Sequence, residues 1–424
     1  MSKYVSMVLL LFGSFAMAQG YGLDKDFSAI ESNVVEWRRY FHQNPELSNR
    51  EFKTAEKIAE HLKSLGIEVQ TGVAHTGVVG ILKGKQSGKV VALRADIDAL
   101  PVYERNDLPY KSTVTSEFLG EKVGVMHACG HDTHIAILMG VAEVLSKNKD
   151  KIKGTVKFIF QPAEEGAPPG EEGGAELMVK EGVLENPKVD AIFGLHINSA
   201  TPVGYIGYKP GGTMAAVNSF DIKVKGKQTH GSQPWSGVDP ILISAKIIDG
   251  LQTIISREAK LTNEAAVISI GKISGGVRSN IIPESVDMIG TLRTLDNGMK
   301  EMIQRRMKEM VATIAKAYGG EANLSFRLGY PITYNDERLV EQMLPSIQRV
   351  AGPDKVKLIK ATTGAEDFSF FQEKIPGFYF FLGGMTPGNT TPFPHHTPDF
   401  LIDDSGLLLG VKTLTELSLD YLNQ

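Results

Sequence analysis

Thr155-Val156-Lys157-Phe158-Ile159-Phe160 runs directly into Gln161-Pro162-Ala163-Glu164-Glu165. The first six residues read as a buried strand, and the chain then delivers two adjacent carboxylates. Open α/β sheets place their sites at the carboxyl ends of strands. The same arrangement occurs twice more. The apolar run at 90–93 ends in Arg94-Ala95-Asp96-Ile97-Asp98, and the run at 191–195 ends in His196. Between the run at 90–93 and the strand at 155–160 lies His127-Ala128-Cys129-Gly130-His131-Asp132-Thr133-His134. A helix is expected over 135–145, with Asp132 or Thr133 as its N-cap. Strand, helix and strand in alternation predict an α/β fold with a mostly parallel sheet flanked by helices.

Residues 24–65 read as two helices broken at Asn44-Pro45-Glu46, with Gly66 as the final stop. Short apolar strands are expected at 67–69 and 78–82. Beyond Gly211-Gly212 the pattern changes. Strands are expected at 219–224, 266–273, 285–292 and 323–328, with helices at 240–255 and 297–318. The order β-α-β-β-α-β is that of a ferredoxin-like α+β unit. The expected division is therefore a larger domain, 19–212 and 329–424, with residues 213–328 inserted.

The 424 residues suffice for two cores. A net charge of −4 and 22% charged residues give no electrostatic case for nucleic acid or an anionic membrane. The N-terminus is distinctive. Lys3 precedes an apolar run at 5–15, then Ala16-Met17-Ala18. That is the order of a secretory signal, so residues 1–18 are expected to be cleaved after Ala18 and the protein exported to the periplasm or medium. The run is too short to span a bilayer. The single cysteine has no internal disulfide partner, which leaves it buried and inert, or a ligand or nucleophile.

Thiolate, imidazole and carboxylate together suit a divalent transition metal. Cys129 and His131 face the same way if their segment is extended. Cys-x-His alone says little, and a lone histidine is ordinarily a satisfied core or surface residue. Glu164/Glu165, His196 and His395/His396, each at an element end, carry the weight. Adjacent glutamates suggest divided labour: one ligates, and its neighbour takes a proton from a metal-activated water. Asp96 and Asp98 are expected to brace ligand histidines rather than bind the metal.

Four segments carry a family resemblance. They are Arg38-Arg39-x-x-His42-Gln43-x-Pro45-Glu46-Leu47-Ser48, Leu93 to Pro101, His127 to Asp132, and Gln161 to Gly166. Together they resemble the metal-dependent amidohydrolase and peptidase family of aminoacylases, hippurate hydrolase, N-acetyl-diaminopimelate deacetylases and auxin-conjugate hydrolases, in its cysteine-bridged subgroup. The resemblance implies two divalent metals per chain, zinc first, with manganese, cobalt or nickel as alternatives. Cys129 would bridge them, and His131, Glu165, His196 and His396 would complete the ligands. His396 rather than His395 is implied because it directly precedes Thr397-Pro398. Glu164 would be the general base. Residues 213–328 would be a lid and dimerisation domain making a homodimer. There His230 would polarise the scissile carbonyl, and Asn280 and Arg293 would hold a substrate carboxylate.

One segment departs from that pattern. Ala167-Pro168-Pro169-Gly170-Glu171-Glu172-Gly173-Gly174 is long and rich in Pro and Gly, and is expected near the site entrance. The expected activity is amide hydrolysis of N-acyl amino acids or similar small carboxylate-bearing conjugates. The rivals are a dipeptidase or carboxypeptidase of the same chemistry, a secreted non-catalytic binding protein, and a hydrolase using Cys129 as nucleophile.

Overall fold

The computed structural model describes residues 20–424, so the signal-peptide reading of residues 1–18 lies outside the described residues. Helices α1 (Asp24–Gln43) and α2 (Phe52–Ser64) lead into β1 (Glu68–Val73), β2 (Gly77–Lys83) and β3 (Gln86–Asp96). A short hairpin follows, Thr115–Phe118 with Glu121–Gly124, which the sequence reading did not anticipate. Then come α3 (His131–Lys147), β4 (Lys153–Gln161), β5 (Ala191–Pro202) and β6 (Ile206–Tyr208).

The next unit holds β7 (Ala216–Lys225), α4 (Pro240–Thr253), β8 (Ala266–Ser274), β9 (Ser285–Thr294), α5 (Asn297–Ala317) and β10 (Glu321–Leu328). Its four strands pair antiparallel in the order β8-β9-β7-β10. That is the ferredoxin-like arrangement. The alternating burial of β7 and β9 puts one face of this sheet against α4 and α5, in a core of its own around Phe220, Ile247 and Met307.

The chain then returns to the larger unit with α6 (Glu337–Ala351), β11 (Val356–Leu358), β12 (Gly377–Met385) and α7 (Leu407–Leu422). The large sheet has eight strands in the order β1-β2-β4-β3-β5-β12-β6-β11. Its centre is parallel: β4 with β3, β3 with β5, and β5 with β12. These central strands are buried along nearly their whole length, because α1, α3 and α7 cover one face and the smaller cluster around Phe368, Phe371 and Tyr379 covers the other. The parallel register brings the ends of β3, β4, β5 and β12 to one edge, where the site lies.

The start of α3 corrects one expectation. The N-cap is Gly130, at φ 96°, and neither Asp132 nor Thr133 caps the helix. A side chain at Gly130 would meet Ile197 Cγ2 at 2.4 Å, so close approach to β5 excludes any other residue. Asp132 is drawn into the first turn by Arg38 Nε at 2.9 Å and His42 Nδ1 at 2.8 Å. No helix among the described residues is long and apolar enough to cross a membrane.

Candidate metal centre and active site

All the donors but one are delivered by the ends of elements or the loops after them; His196 sits within β5, which runs on to Pro202 instead of ending there as expected. Cys129 precedes α3, and His131 opens it. Glu164 and Glu165 follow β4 after a turn through Ala163, held at φ 52° and fixed by its N–H donating to Glu51 Oε1 at 3.0 Å. His196 lies on β5, and His395 and His396 on the loop after β12. Six of these seven line one cavity, and His131 joins them through its grouping with Cys129 and His196.

The Cys129 thiol is the hub. His196 Nε2 lies 3.4 Å from its Sγ and His396 Nε2 lies 3.2 Å from it. His396 Nε2 is also 3.0 Å from Glu165 Oε1. Among the described residues, five donor groups have ligating atoms within 4.8 Å of one another, and two of them contain the thiol: Cys129, His131 and His196, and Cys129, Glu165 and His396. They share the thiol, which is the arrangement two bridged cations need.

The bracing is one-sided. His131 donates through Nδ1 to the Asp98 carbonyl at 2.9 Å and lies 3.1 Å from Asp98 Oδ1, while its buried Nε2 has no hydrogen-bond partner. A buried ring nitrogen left bare on the side facing a thiol fits a metal ligand. Asp98 also accepts from Ser48 Oγ at 2.7 Å and from the Glu165 N–H at 3.0 Å, so one carboxylate orients both a histidine and the glutamate turn.

The tandem histidines differ. His395 Nε2 accepts from the Ser199 N–H at 3.2 Å, and its Nδ1 faces the Cys129 carbonyl at 3.1 Å. Both nitrogens are engaged with backbone, and Nδ1 lies a longer 3.8 Å from the Cys129 Sγ, whereas His396 Nε2 faces only thiol and carboxylate. His134 is engaged likewise, with Nδ1 2.5 Å from Asp96 Oδ1 and Nε2 accepting from the Ile197 N–H at 2.8 Å. Asp96 lies 3.7 Å from His131 Nδ1, on the side away from the free nitrogen.

Electrostatics match a site built for cations. Burial and the Glu165, Glu164 and Asp96 carboxylates push the Cys129 thiol well up, the reverse of what a free nucleophilic cysteine needs. Burial and the Glu366, Glu165 and Asp367 carboxylates likewise hold Glu164 well above the usual range. A divalent cation held by these groups would favour their deprotonated forms. Burial pulls His131 down, but Asp96 and Asp98 outweigh it and carry it up to about 10.

Behind the donors sits a buried network that sequence reasoning missed. Arg94 bonds Asp96 at 2.6 Å, Glu366 and Asp367 at 2.9 Å each, and Gln161 at 2.7 Å. Tyr379 donates to Glu366 Oε2 at 2.6 Å. Tyr330 donates to the Glu164 carbonyl at 2.6 Å. The available signal was an arginine inside an apolar strand, which must find carboxylates when buried.

The cavity in front of the donors measures about 340 Å³ and is lined by Glu164, Glu165, His196, His396, Tyr330, Glu366 and Phe381 among others. His230, Asn280 and Arg293 are not in that lining. His230 is exposed, its Nδ1 2.7 Å from Ser232 Oγ, on a two-residue strand paired beside Asn280. Arg293 lies on β9 opposite Val217, and partial burial lowers its pKa.

Residues 92–420 match the model of the peptidase family M20/M25/M40. The chain belongs to this family. Within it, the chain is 41% identical to thermostable carboxypeptidase 2 of Saccharolobus solfataricus, covering 95% of this chain and 98% of that protein. It is 38% identical to N-acetylcysteine deacetylase of Bacillus subtilis, over 92% and 97% respectively. The crystal structure of the Bacillus subtilis YXEP protein, described as a dinuclear metal binding peptidase of the M20 family, superposes with a TM-score of 0.79. It is 35% identical and covers 93% of this chain and 99% of that one. Membership makes this chain a metal-dependent hydrolase acting on amides, and its groups of thiol, imidazole and carboxylate donors support divalent metals.

Proposed function

We propose that the protein hydrolyses the amide bond of N-acyl amino acids or similar small conjugates bearing a free carboxylate. The carrying observation is the buried Glu164 carboxyl beside two donor triads that share one thiol. The cavity of about 340 Å³ suits a small conjugate better than a folded chain.

Cys129, His131 and His196 would hold one cation, and Cys129, Glu165 and His396 the other. Two such ions supply Lewis acidity for the scissile carbonyl and lower the pKa of an attacking water. Zinc heads the candidates because thiolate favours softer ions, with manganese, cobalt and nickel as alternatives. Glu164 takes the water's proton and returns it to the leaving amine. Asp98 keeps His131 in the tautomer that leaves Nε2 free. His230 donates to the developing oxyanion, and Asn280 and Arg293 clamp the substrate carboxylate. These three lie outside the cavity lining of a single chain, which supports a homodimer, or closure of the inserted unit, as the means of delivering them. Trp235 and Val277, 80% and 88% exposed on the same unit, supply apolar surface for such a dimer. Export follows from the reading of residues 1–18, and N-terminal sequencing of the cell-expressed protein checks cleavage after Ala18.

A carboxypeptidase or dipeptidase is the second reading, favoured by the relative named thermostable carboxypeptidase 2. The deciding experiment measures metal content and hydrolysis of N-acetyl-methionine, hippurate and a dipeptide panel, before and after chelation. About two metal ions per chain, with activity lost on chelation and restored by metal, is expected. Preference for dipeptides selects the second reading. Turnover that survives complete metal removal overturns the mechanism and puts Cys129 forward as nucleophile. Bound metal without turnover of any substrate leaves a binding protein.

A further inference from the structure

Glu165 lines a second cavity, of about 330 Å³, whose other walls belong to none of the inserted unit's elements. Those walls are mainly apolar: Leu47, Leu100, Phe118, Leu119, Pro168 and Pro169. Four segments converge to make them. They are the turn after α1, the segment after β3, the 115–124 hairpin, and the Pro/Gly-rich loop after β4. Leu119 stands at the hairpin tip, 70% exposed and at φ 53°. A leucine in the left-handed region with an open side chain is an unusual choice where glycine or asparagine would turn the chain more easily.

The loop wall is fastened. Arg50 Nη2 reaches Glu171 Oε1 at 2.6 Å and Nη1 reaches Oε2 at 3.1 Å. Asn49 donates to Glu171 Oε2 at 3.1 Å and to the Glu172 carbonyl at 3.0 Å. Two adjacent prolines restrict the stretch between this clamp and Glu165. Arg50 is the one cation in the lining, and it is committed to Glu171. The cavity therefore offers contact area to an apolar group and no free cation to a carboxylate.

We infer that this cavity is a subsite for an extended apolar group on the acyl side of the scissile amide, with the 167–174 loop as its wall. The inference rests on the amide-hydrolase reading above. Glu165 belongs to one donor triad and also to this lining, so the cavity adjoins the reacting centre. The carboxylate on the amine side is assigned to Arg293 and Asn280 in the inserted unit, which contributes nothing here. The group on the other side of the carbonyl is left to fill the apolar cavity. The preferred substrates are then medium-chain or aromatic acyl conjugates rather than acetyl ones.

The test is an N-acyl-methionine series from acetyl to hexanoyl, with wild type, Leu119→Ser and Phe118→Ala. In wild type kcat/KM should rise by about fourfold per methylene until the cavity is filled. The hexanoyl-to-acetyl ratio should fall about tenfold in Leu119→Ser, an exposed position where folding is not at stake. A flat series in wild type, or an unchanged ratio in both variants, overturns the subsite. Calorimetric binding of the product acids hexanoate and acetate to the metal-loaded protein separates this failure from failure of the amide reading. Tighter hexanoate binding that Leu119→Ser abolishes sustains the subsite even if no N-acyl amino acid is cleaved. Hexanoate binding no tighter than acetate refutes it whatever is hydrolysed.

Discussion

Arg94→Met should destabilise the larger unit by about 4 kcal/mol, within the range for removing one partner of a buried ion pair. The Arg94 guanidinium is fully buried among Asp96, Glu366 and Asp367, which are themselves at most 2% exposed in their side chains. Methionine fills the space but leaves three carboxylates facing one another. The contributions of three pairs do not add, because one or two orphaned carboxyls take up protons instead of staying charged. That escape makes the deficit pH-dependent. In the variant the native carboxyl pKa values rise above their unfolded values, so the native state holds extra protons and loses stability as pH rises. The deficit should therefore be larger at pH 8 than at pH 5. Arg94→Lys, which keeps the charge but not the planar fork, should cost roughly 2 kcal/mol. The chain has two tryptophans. Trp37 packs on His61 at 4.6 Å in the larger unit, and Trp235 lies exposed in the inserted one. In a Trp235→Phe background, Trp37 fluorescence in urea reports the larger unit alone. A deficit below about 1 kcal/mol at pH 8, or one identical at pH 5, would refute the view that Arg94 neutralises this cluster.

Glu164→Gln should lower kcat by about 10³-fold while bound metal stays near the wild-type level, and a loss under tenfold excludes Glu164 as the base. His396→Ala should empty one of the two sites by elemental analysis, whereas His395→Ala should retain metal, because His395 is engaged with backbone on both nitrogens. Arg293→Met should cut kcat/KM for N-acetyl-methionine by roughly 10–100-fold and leave N-acetyl-methioninamide nearly unaffected, the loss expected for one charged hydrogen bond. His127 is buried, and burial lowers it to about 4. Between that value and the unfolded ~6.5 only the unfolded chain binds the proton, so up to about 3 kcal/mol of stability disappears as pH falls through this window. His127→Gln should flatten that part of the pH profile in urea titrations, and a parallel shift of the whole profile would count against it.

What could be read from the chain follows from which physics is local. Buried parallel strands read as continuous apolar runs, and the residues just past their ends are where side chains converge, so the strands ending at Asp96 and Gln161 were legible with the donors they deliver, whereas the strand read at 191–195 runs on past His196 to Pro202. The inserted unit was legible because its strands alternate and its α5 keeps one apolar stripe. The hairpin at 115–124 was not, since Thr115–Phe118 is exposed and carries no burial pattern. Gly130 was not either. A preference for Asp or Thr at an N-cap is statistical, and the approach of Ile197 from a distant strand overrides it.

The Arg94 network shows the limit most clearly. Its partners come from Asp96 two residues away and from Glu366 and Asp367 more than 270 residues away, and only the parallel register of β3, β4, β5 and β12 makes them neighbours. The same network explains why this catalytic edge tolerates so much buried charge. Arg94 holds Asp96, Asp96 holds His134, and His134 accepts from the Ile197 N–H beside His196. The position of His196 thus depends on a cation that bonds Asp96, Glu366 and Asp367 rather than the thiol-sharing donors. A substitution at Arg94 should accordingly disturb metal affinity as well as stability, whereas one at the equally buried Lys157, which donates only to backbone carbonyls at 2.7–3.0 Å, should disturb stability alone.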